Sequence, residues 1–179
     1  KNKKSKNLKY FKLNFLDTEK NINNKLKILS KVKIDSVINL VGYIDNKSFK
    51  NFTIDQLLKS IKVNSIVPFF IIKKILPNMI KKKFGRILQT SSIGVKFGGG
   101  QNTFNYSVSK KINEFIPSNI NTLASKNILM NTLVIGATNT KIHRKIKSKN
   151  LKRRKKLIPI KRFAEVDEIA RYIYFMSSE

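Results

Sequence analysis

Cysteine is absent from the 179 residues, and His143 is the only histidine. The first absence excludes a disulfide framework, a thiolate metal site and a cysteine nucleophile. The second leaves zinc hydrolase chemistry and a Ser-His-Asp triad without parts, so no metal site is expected. No uninterrupted apolar run reaches the roughly 18 residues of a membrane-spanning helix, and no membrane partner is expected. Acidic residues are also scarce, 10 against 38 basic ones, for a formal charge of +28. Residue 1 is Lys rather than Met, and residue 179 follows a helical pattern without a stop signal. Both ends therefore read as cut, and a targeting segment would escape view.

What is present is enough apolar material, 41 % of residues, to build the core of one ordinary domain. The charge would point to nucleic acid or another anionic surface. Its texture points elsewhere. Lysine outnumbers arginine 32 to 6, whereas readers of phosphates and bases favour the planar arginine fork. Lys, Asn and Ile together make 77 residues, all three with AT-rich codons, so genome composition supplies much of the charge.

Along the chain, Tyr10 to Phe15 alternates weakly and reads as a strand. Ile22 to Lys33 reads as an amphipathic helix. Ser36 to Val41 is a short apolar run ending at Gly42, a strand buried on both faces. Thr53-Ile-Asp-Gln56 fits a capping box. The helix it opens runs to about Lys83, carries Pro68 and Pro77, and stops at Gly85. Arg86 to Ser91 gives a strand, followed by a glycine-rich loop containing Gly98, Gly99 and Gly100. A helix spans about Asn105 to Ala124, Ile128 to Ile135 is the next strand, and a last helix starts near Glu165. Strands alternating with helices indicate βαβ units and a mostly parallel sheet. Polar groups and glycines just past the strand ends would gather on the rim where such sheets bind ligands.

Tyr106 and Lys110 lie four apart at the start of a predicted helix, on one face. An ammonium beside a phenol favours the phenolate, so the pKa of Tyr106 is expected to fall towards working pH, which suits a general acid or base. Ser91 and Ser92, at a strand end upstream, offer a hydroxyl to the same substrate oxygen. Asn64 lies four residues before Pro68, whose missing N–H frees the carbonyl of Asn64 and kinks the helix. That carbonyl and carboxamide together suggest a water site.

The ordered set Asn39-Leu-Val-Gly42, Asn64, Gly85-Arg-Ile, Ser91-Ser92, Tyr106-Ser-Val-Ser-Lys110 and Asn131 to Gly136 with Thr140 resembles the short-chain dehydrogenase/reductase family. The segments Ile158 to Arg162 and Val166 to Ser178 are similar to the stretch before that family's last strand. The resemblance runs from about Tyr10 onward. It implies an α/β Rossmann-like, doubly wound parallel sheet over 1–179, incomplete, with the first two strands and the last strand absent. The glycine-rich loop that cradles the pyrophosphate would belong to that absent first βαβ unit.

By the same resemblance Tyr106 is the acid/base, Ser92 (Ser91 less so) polarises the carbonyl, and Asn64 anchors the water of a proton relay. Lys110 holds the nicotinamide ribose and depresses the pKa of Tyr106. The cofactor-binding residues are Asn14 and Phe15, which line the adenine pocket, Asn39 and Gly42, Tyr106 with Lys110, and Gly136 and Thr140, which flank the nicotinamide and pyrophosphate. The cofactor is NAD or NADP. The chain departs from the family at Leu40, Val41 and Ile135, and Pro117 interrupts the helix that carries Tyr106. In Lys141 to Lys156, the family's substrate-covering region, ten of sixteen residues are basic. This basic lid suits a small carbonyl or alcohol substrate that is anionic or carried on an acidic acyl carrier protein, as in 3-oxoacyl-carrier-protein reductases; a solvated lysine-rich segment is the bland alternative.

A cytoplasmic homodimer or homotetramer is expected, built through the apolar stretches Ile66 to Ile80 and Ile112 to Leu123. Two alternatives are a catalytically silent relative that binds partners through its basic surface, and a basic nucleic-acid-binding protein. The second is weaker, since the basic residues lack aromatic interleaving.

Overall fold

The structure, a computed structural model, describes residues 8–140 and 148–179. His143 and the first part of the basic segment fall outside the described residues. Helix α1 (Glu19–Leu26) is opened by Thr18, whose hydroxyl accepts the Asn21 N–H. A 3-10 turn, Lys27–Lys31, follows, so the expected helix to Lys33 tightens early. Strand β1 (Ser36–Ile38) is shorter than expected, although the Asn39 N–H still reaches the Leu88 carbonyl at 2.8 Å.

The long helix is assembled from α2 (Ile54–Ile61), a π-helical turn at Lys62–Ile66, and α3 (Val67–Lys82). Its start is the expected capping box: Thr53 accepts the Gln56 N–H while the Gln56 side chain accepts the Thr53 N–H. The kink expected from Pro68 takes the form of that π turn, in which the Val67 N–H reaches back to Lys62. Lys83, in the left-handed conformation at φ 59°, ends α3. Gly85 does not stop the helix; it begins strand β2 (Gly85–Ser92), where a Cβ would collide with Met79 Sδ at 2.6 Å.

A short helix α4 (Ile93–Lys96) and the glycine-rich loop lead to α5 (Phe104–Ile112). The expected continuous helix to Ala124 is broken after Ile112: α6 (Ser118–Asn121) and a 3-10 turn, Thr122–Lys126, restart beyond Pro117. Proline lacks the N–H that would carry the helix through, and its ring disfavours helical backbone before it. Strand β3 (Ile128–Ile135), α7 (Ser148–Lys156) and α8 (Val166–Ser177) complete the described chain.

The sheet is parallel, in the order β1-β2-β3, with Ser36 opposite Arg86 and Gly85 to Ser92 opposite Ile128 to Ile135. The expected strand at Tyr10 to Phe15 is not formed. Tyr10 is 84 % exposed, and among the described residues no ladder partner satisfies this backbone, without which a lone strand is not stable in water. Leu13 and Phe15 instead pack on a small cluster of Ile22, Leu26 and Val67.

By length and composition the helical span Ile54–Lys82 is long and apolar enough to cross a bilayer. Here Ile72, Ile75 and Met79 are buried in the main core with Ile87, Ile120, Ile128 and Met130 from β2, α6 and β3, and the span serves as a core helix. Because α2 starts at the Thr53 cap and leads into the turn bearing Asn64, Thr53→Ala should lower unfolding free energy by about 1 kcal/mol. Thr53→Ser should cost only a fraction of that, both read by urea denaturation.

Candidate active site

The three strand ends define the site. Ile38 is level with Leu88, so Asn39 lies beside Gln89; Ser92 is level with Ile135, so Gly136 lies one residue past the rim. β1 leaves the sheet after Asn39 because the Asn39 carboxylamide oxygen accepts the Val41 N–H at 3.0 Å, a local turn that competes with the ladder. The Asn39 amide nitrogen donates to Gln89 Oε1 at 2.6 Å.

Asn64 is fully buried at the π turn. Its carboxamide accepts the Tyr43 N–H at 2.7 Å and donates to the Tyr43 carbonyl at 2.9 Å and to Ser109 Oγ at 2.8 Å. The backbone carbonyl that Pro68 leaves free accepts Asn113 Nδ2 at 3.1 Å and, more weakly, Asn39 Nδ2 at 3.5 Å. Protein amides thus occupy the group from which the sequence suggests a water site.

The two serines separate cleanly. Ser91 is buried and donates to Glu114 Oε1 at 2.8 Å, which removes it from the rim. Ser92, half-buried, caps α4 by accepting the Gly94 N–H at 3.3 Å, and its hydroxyl lies near enough to the Tyr106 phenol to favour the phenolate. Two hydroxyls therefore converge where β2 ends.

Lys110 is 3 % exposed. Its ammonium donates to the Val41 carbonyl at 2.8 Å and to the Thr90 carbonyl and hydroxyl at 3.0 Å each, and lies 6.0 Å from the Tyr106 ring centroid. Burial lowers its pKa from 10.5 to about 8. The expectation of a lowered Tyr106 pKa is corrected: burial of the phenol is the larger effect and raises that pKa above 10, against the lowering influence of the Ser92 hydroxyl. The phenol is desolvated, while the ammonium is turned to carbonyl oxygens instead of the phenol oxygen.

The remaining expected residues lie apart from this group. Gly42 and Gly136 are exposed beyond β1 and β3, and a Cβ on either would meet nothing within 4 Å. Thr140 follows a loop tied to the segment before α8 through the Ala137–Ala164 and Asn139–Ala164 backbone bonds, 2.9 and 2.8 Å. Asn14 is exposed in a turn, its side chain accepting the Leu16 N–H at 3.0 Å, and Phe15 beside it is half-buried.

Three residues of the group escape sequence reasoning: Gln89, Thr90 and Asn113. Asn113 stands three residues after Lys110 on the same helical face, a polar residue at a core spacing, and that is the one signal that marks it.

Lys110 sets a pH dependence. In the unfolded chain it binds its proton up to about pH 10.5, in the folded chain only to about pH 8. Between these values the unfolded state holds more protons, so the contribution of Lys110 to stability rises with pH. Lys110→Met has no such proton. The stability of the wild type relative to this variant should therefore rise from pH 8 to pH 10 in urea unfolding, and parallel curves would refute the burial of a charged Lys110.

Comparison with known proteins agrees with this architecture. The family model described as Enoyl-(Acyl carrier protein) reductase matches residues 19–179. The 3-oxoacyl-[acyl-carrier-protein] reductase of Buchnera aphidicola subsp. Schizaphis graminum is 31% identical over 180 residues, covering 94% of this chain and 70% of that protein. The enzyme of the same description from Aquifex aeolicus is 31% identical over 147 residues, 82% of this chain and 59% of its own length. Among solved structures, a 3-oxoacyl (acyl-carrier-protein) reductase from Agrobacterium tumefaciens with NADP bound superposes with a TM-score of 0.77 at 20% identity, over 86% of this chain and 63% of that one. The chain thus spans 59% to 70% of the length of these relatives. With nearly the whole chain matched, and α5 setting Tyr106 and Lys110 beside Ser92 at the end of β2, the protein belongs to the short-chain dehydrogenase/reductase family of oxidoreductases.

Proposed function

We propose that the protein is a cytoplasmic NAD- or NADP-dependent oxidoreductase that interconverts a carbonyl and an alcohol. The observation that carries this reading is the convergence of the Ser92 and Tyr106 hydroxyls beside a buried ammonium at the end of β2. The rim fits a nicotinamide dinucleotide: Gly42 and Gly136 leave open space past two strand ends, and Asn14 is exposed in a turn of its own. Gly136 and Thr140 would flank the nicotinamide and pyrophosphate, and Asn14 and Phe15 the adenine. Asn39 acts indirectly, since its buried side chain holds the turn at Val41. Lys110 meets a ribose hydroxyl by releasing one of its present acceptors. A nicotinamide bound there supplies or accepts the hydride.

The chain's own residues handle the proton. In the reducing direction the substrate oxygen lies against the Tyr106 and Ser92 hydroxyls. Ser92 donates a hydrogen bond to the developing oxyanion, and Tyr106 transfers its proton to it. The raised pKa of Tyr106 keeps the phenol protonated at neutral pH, the form a proton donor requires. The phenolate left behind is stabilised by the Ser92 hydroxyl and by the positive charge of Lys110. Asn64 holds the Tyr43 turn and Ser109 together, and so fixes the helix that carries Tyr106.

Tyr106→Phe removes the hydroxyl and little else. Turnover should fall by at least about a hundredfold, while nicotinamide binding, read by calorimetry on the full-length protein, should be nearly intact. Retention of more than about a tenth of wild-type turnover would defeat the assigned mechanism.

The finer reading is a 3-oxoacyl substrate carried on an acidic acyl carrier protein. Its support is α7, where Lys152 to Lys156 are all exposed and four of those side chains form a basic last turn. A homodimer or homotetramer would cover Ile66 and Phe115, the large apolar residues of the two expected stretches that stand exposed, since Ile72, Ile75, Met79 and Ile120 of those stretches are buried in the core. Neutralising Arg153, Arg154 and Lys155 should weaken steady-state binding of carrier-bound substrate and spare small free ketones. Added salt should reproduce that loss by screening. Equal effects on both substrate kinds would return α7 to a solvated surface helix.

A further inference from the structure

β1 and β2 part company at Asn39, and the gap they leave holds Lys110. In a parallel ladder, carbonyls two residues apart on a strand point to the same side. The Leu88 carbonyl accepts the Asn39 N–H, so the Thr90 carbonyl also faces β1. The ladder would give it the Val41 N–H, but that group is turned back onto the Asn39 side chain. A buried carbonyl without its ladder partner must find another donor. Two arrive from α5 and its C-cap: Lys110 Nζ at 3.0 Å and Asn113 Nδ2 at 3.1 Å. The carbonyl of Val41, beyond the turn, takes a third bond with Lys110 at 2.8 Å.

The Thr90 hydroxyl completes the seat, and its direction is settled by its single proton. Oγ1 donates to the Asn39 carbonyl at 2.7 Å, so only its lone pairs face the Lys110 ammonium, 3.0 Å away. Thr90 thus offers Lys110 two acceptors and no competing donor. Asn113, fully buried, spans Thr90 and Asn64 with one amide nitrogen. It locks the Thr90 carbonyl to the π turn of the long helix. No part of the proposed chemistry uses either residue directly.

We propose that Thr90 is a positioning residue: its carbonyl and hydroxyl oxygens seat the Lys110 ammonium beside Tyr106, and Asn113 holds that seat in place. Its catalytic consequence rests on the reading of Lys110 and Tyr106 given above; the seat itself does not. Tyr106 is the titratable group facing Lys110 from its own helix. Asp45, on the loop after β1, is engaged by Asn105, and Glu114 by Ser91 and Lys111. Among the described residues no carboxylate pairs with Lys110. The proton on Lys110 is therefore held by neutral oxygens, against the burial that lowers its pKa.

The test is the titration of Lys110 itself, followed by its ¹³Cε resonance in the full-length protein. Thr90→Val replaces the hydroxyl with a methyl of similar shape and removes one acceptor from a cation. The midpoint should fall by about one pH unit, the size expected of one hydrogen bond to a charged group. Thr90→Ser keeps the acceptor and should leave the midpoint within a few tenths of the wild-type value. An unchanged midpoint in Thr90→Val, or an equal fall in Thr90→Ser, would overturn the proposal. Should Thr90→Val fail to fold, the wild type decides: below pH 8, through-hydrogen-bond couplings from Lys110 Nζ to the Thr90 and Val41 carbonyl carbons are expected, and their absence refutes the seat. Activity enters separately. A shifted midpoint together with an active Tyr106→Phe would leave the seat standing and discard the catalytic reading.

Discussion

The missing N–H of Pro68 is the constraint on which the site depends. In an ordinary helix that N–H would close on the carbonyl of Asn64. Without it the helix opens into a π turn, and a bare carbonyl is left in the interior. A buried acceptor without a donor costs about 1–3 kcal/mol, so the interior is arranged around it. Asn113 supplies the donor from the C-cap of α5 and Asn39 adds a weaker one from the end of β1. One backbone defect thereby ties the long helix to the helix of Tyr106 and to the strand ends. Ser65, on the same turn, adds a bond to the Ser109 carbonyl, and the two helices are stitched on both sides of the kink.

What could be read from the sequence follows the range of each interaction. The Thr53 cap, the Pro68 kink and the Tyr106–Lys110 pair all act within four residues, and each is legible as a local pattern. That Ser92 and not Ser91 is left at the rim has a reason outside the motif: Glu114, 23 residues on, claims Ser91. Thr90 and Gln89 carried no signal because a strand residue's polar partner depends on where the neighbouring strand ends. That ending is set by one side chain, Asn39, bonding two residues ahead. The weak alternation at Tyr10 to Phe15 misleads for the opposite reason. Period-two patterning describes a face, but a strand also needs a neighbour for its backbone.

The charge of the chain and the charge at the site obey different rules. The surface lysines are solvated, and exposed ion pairs such as Lys25–Asp17 or Arg162–Glu168 add little to stability. Lys110 is the exception in its environment, being buried and held by neutral oxygens. The +28 background acts at long range on approaching anions and is reduced by salt. The field of Lys110 acts over a few ångströms in a desolvated interior, where screening is weak.

The use of carbonyl and hydroxyl oxygens, not a carboxylate, to hold that cation has a consequence for proton transfer. A carboxylate at the same place would hold the proton on Lys110 more firmly, since an opposite charge favours the ionised form. It would also cancel the positive charge as felt from Tyr106, because the two opposite charges would form a near-neutral pair. Dipoles hold the ammonium less tightly, which agrees with a pKa lowered to about 8, but they leave a net unit of positive charge in place. A phenol about to lose its proton next to that charge gains more from an unpaired cation than from a salt bridge. In the proposed mechanism the weaker seat is therefore the one that would leave Lys110 able to stabilise a phenolate, and the divergence of β1 from β2 creates that seat.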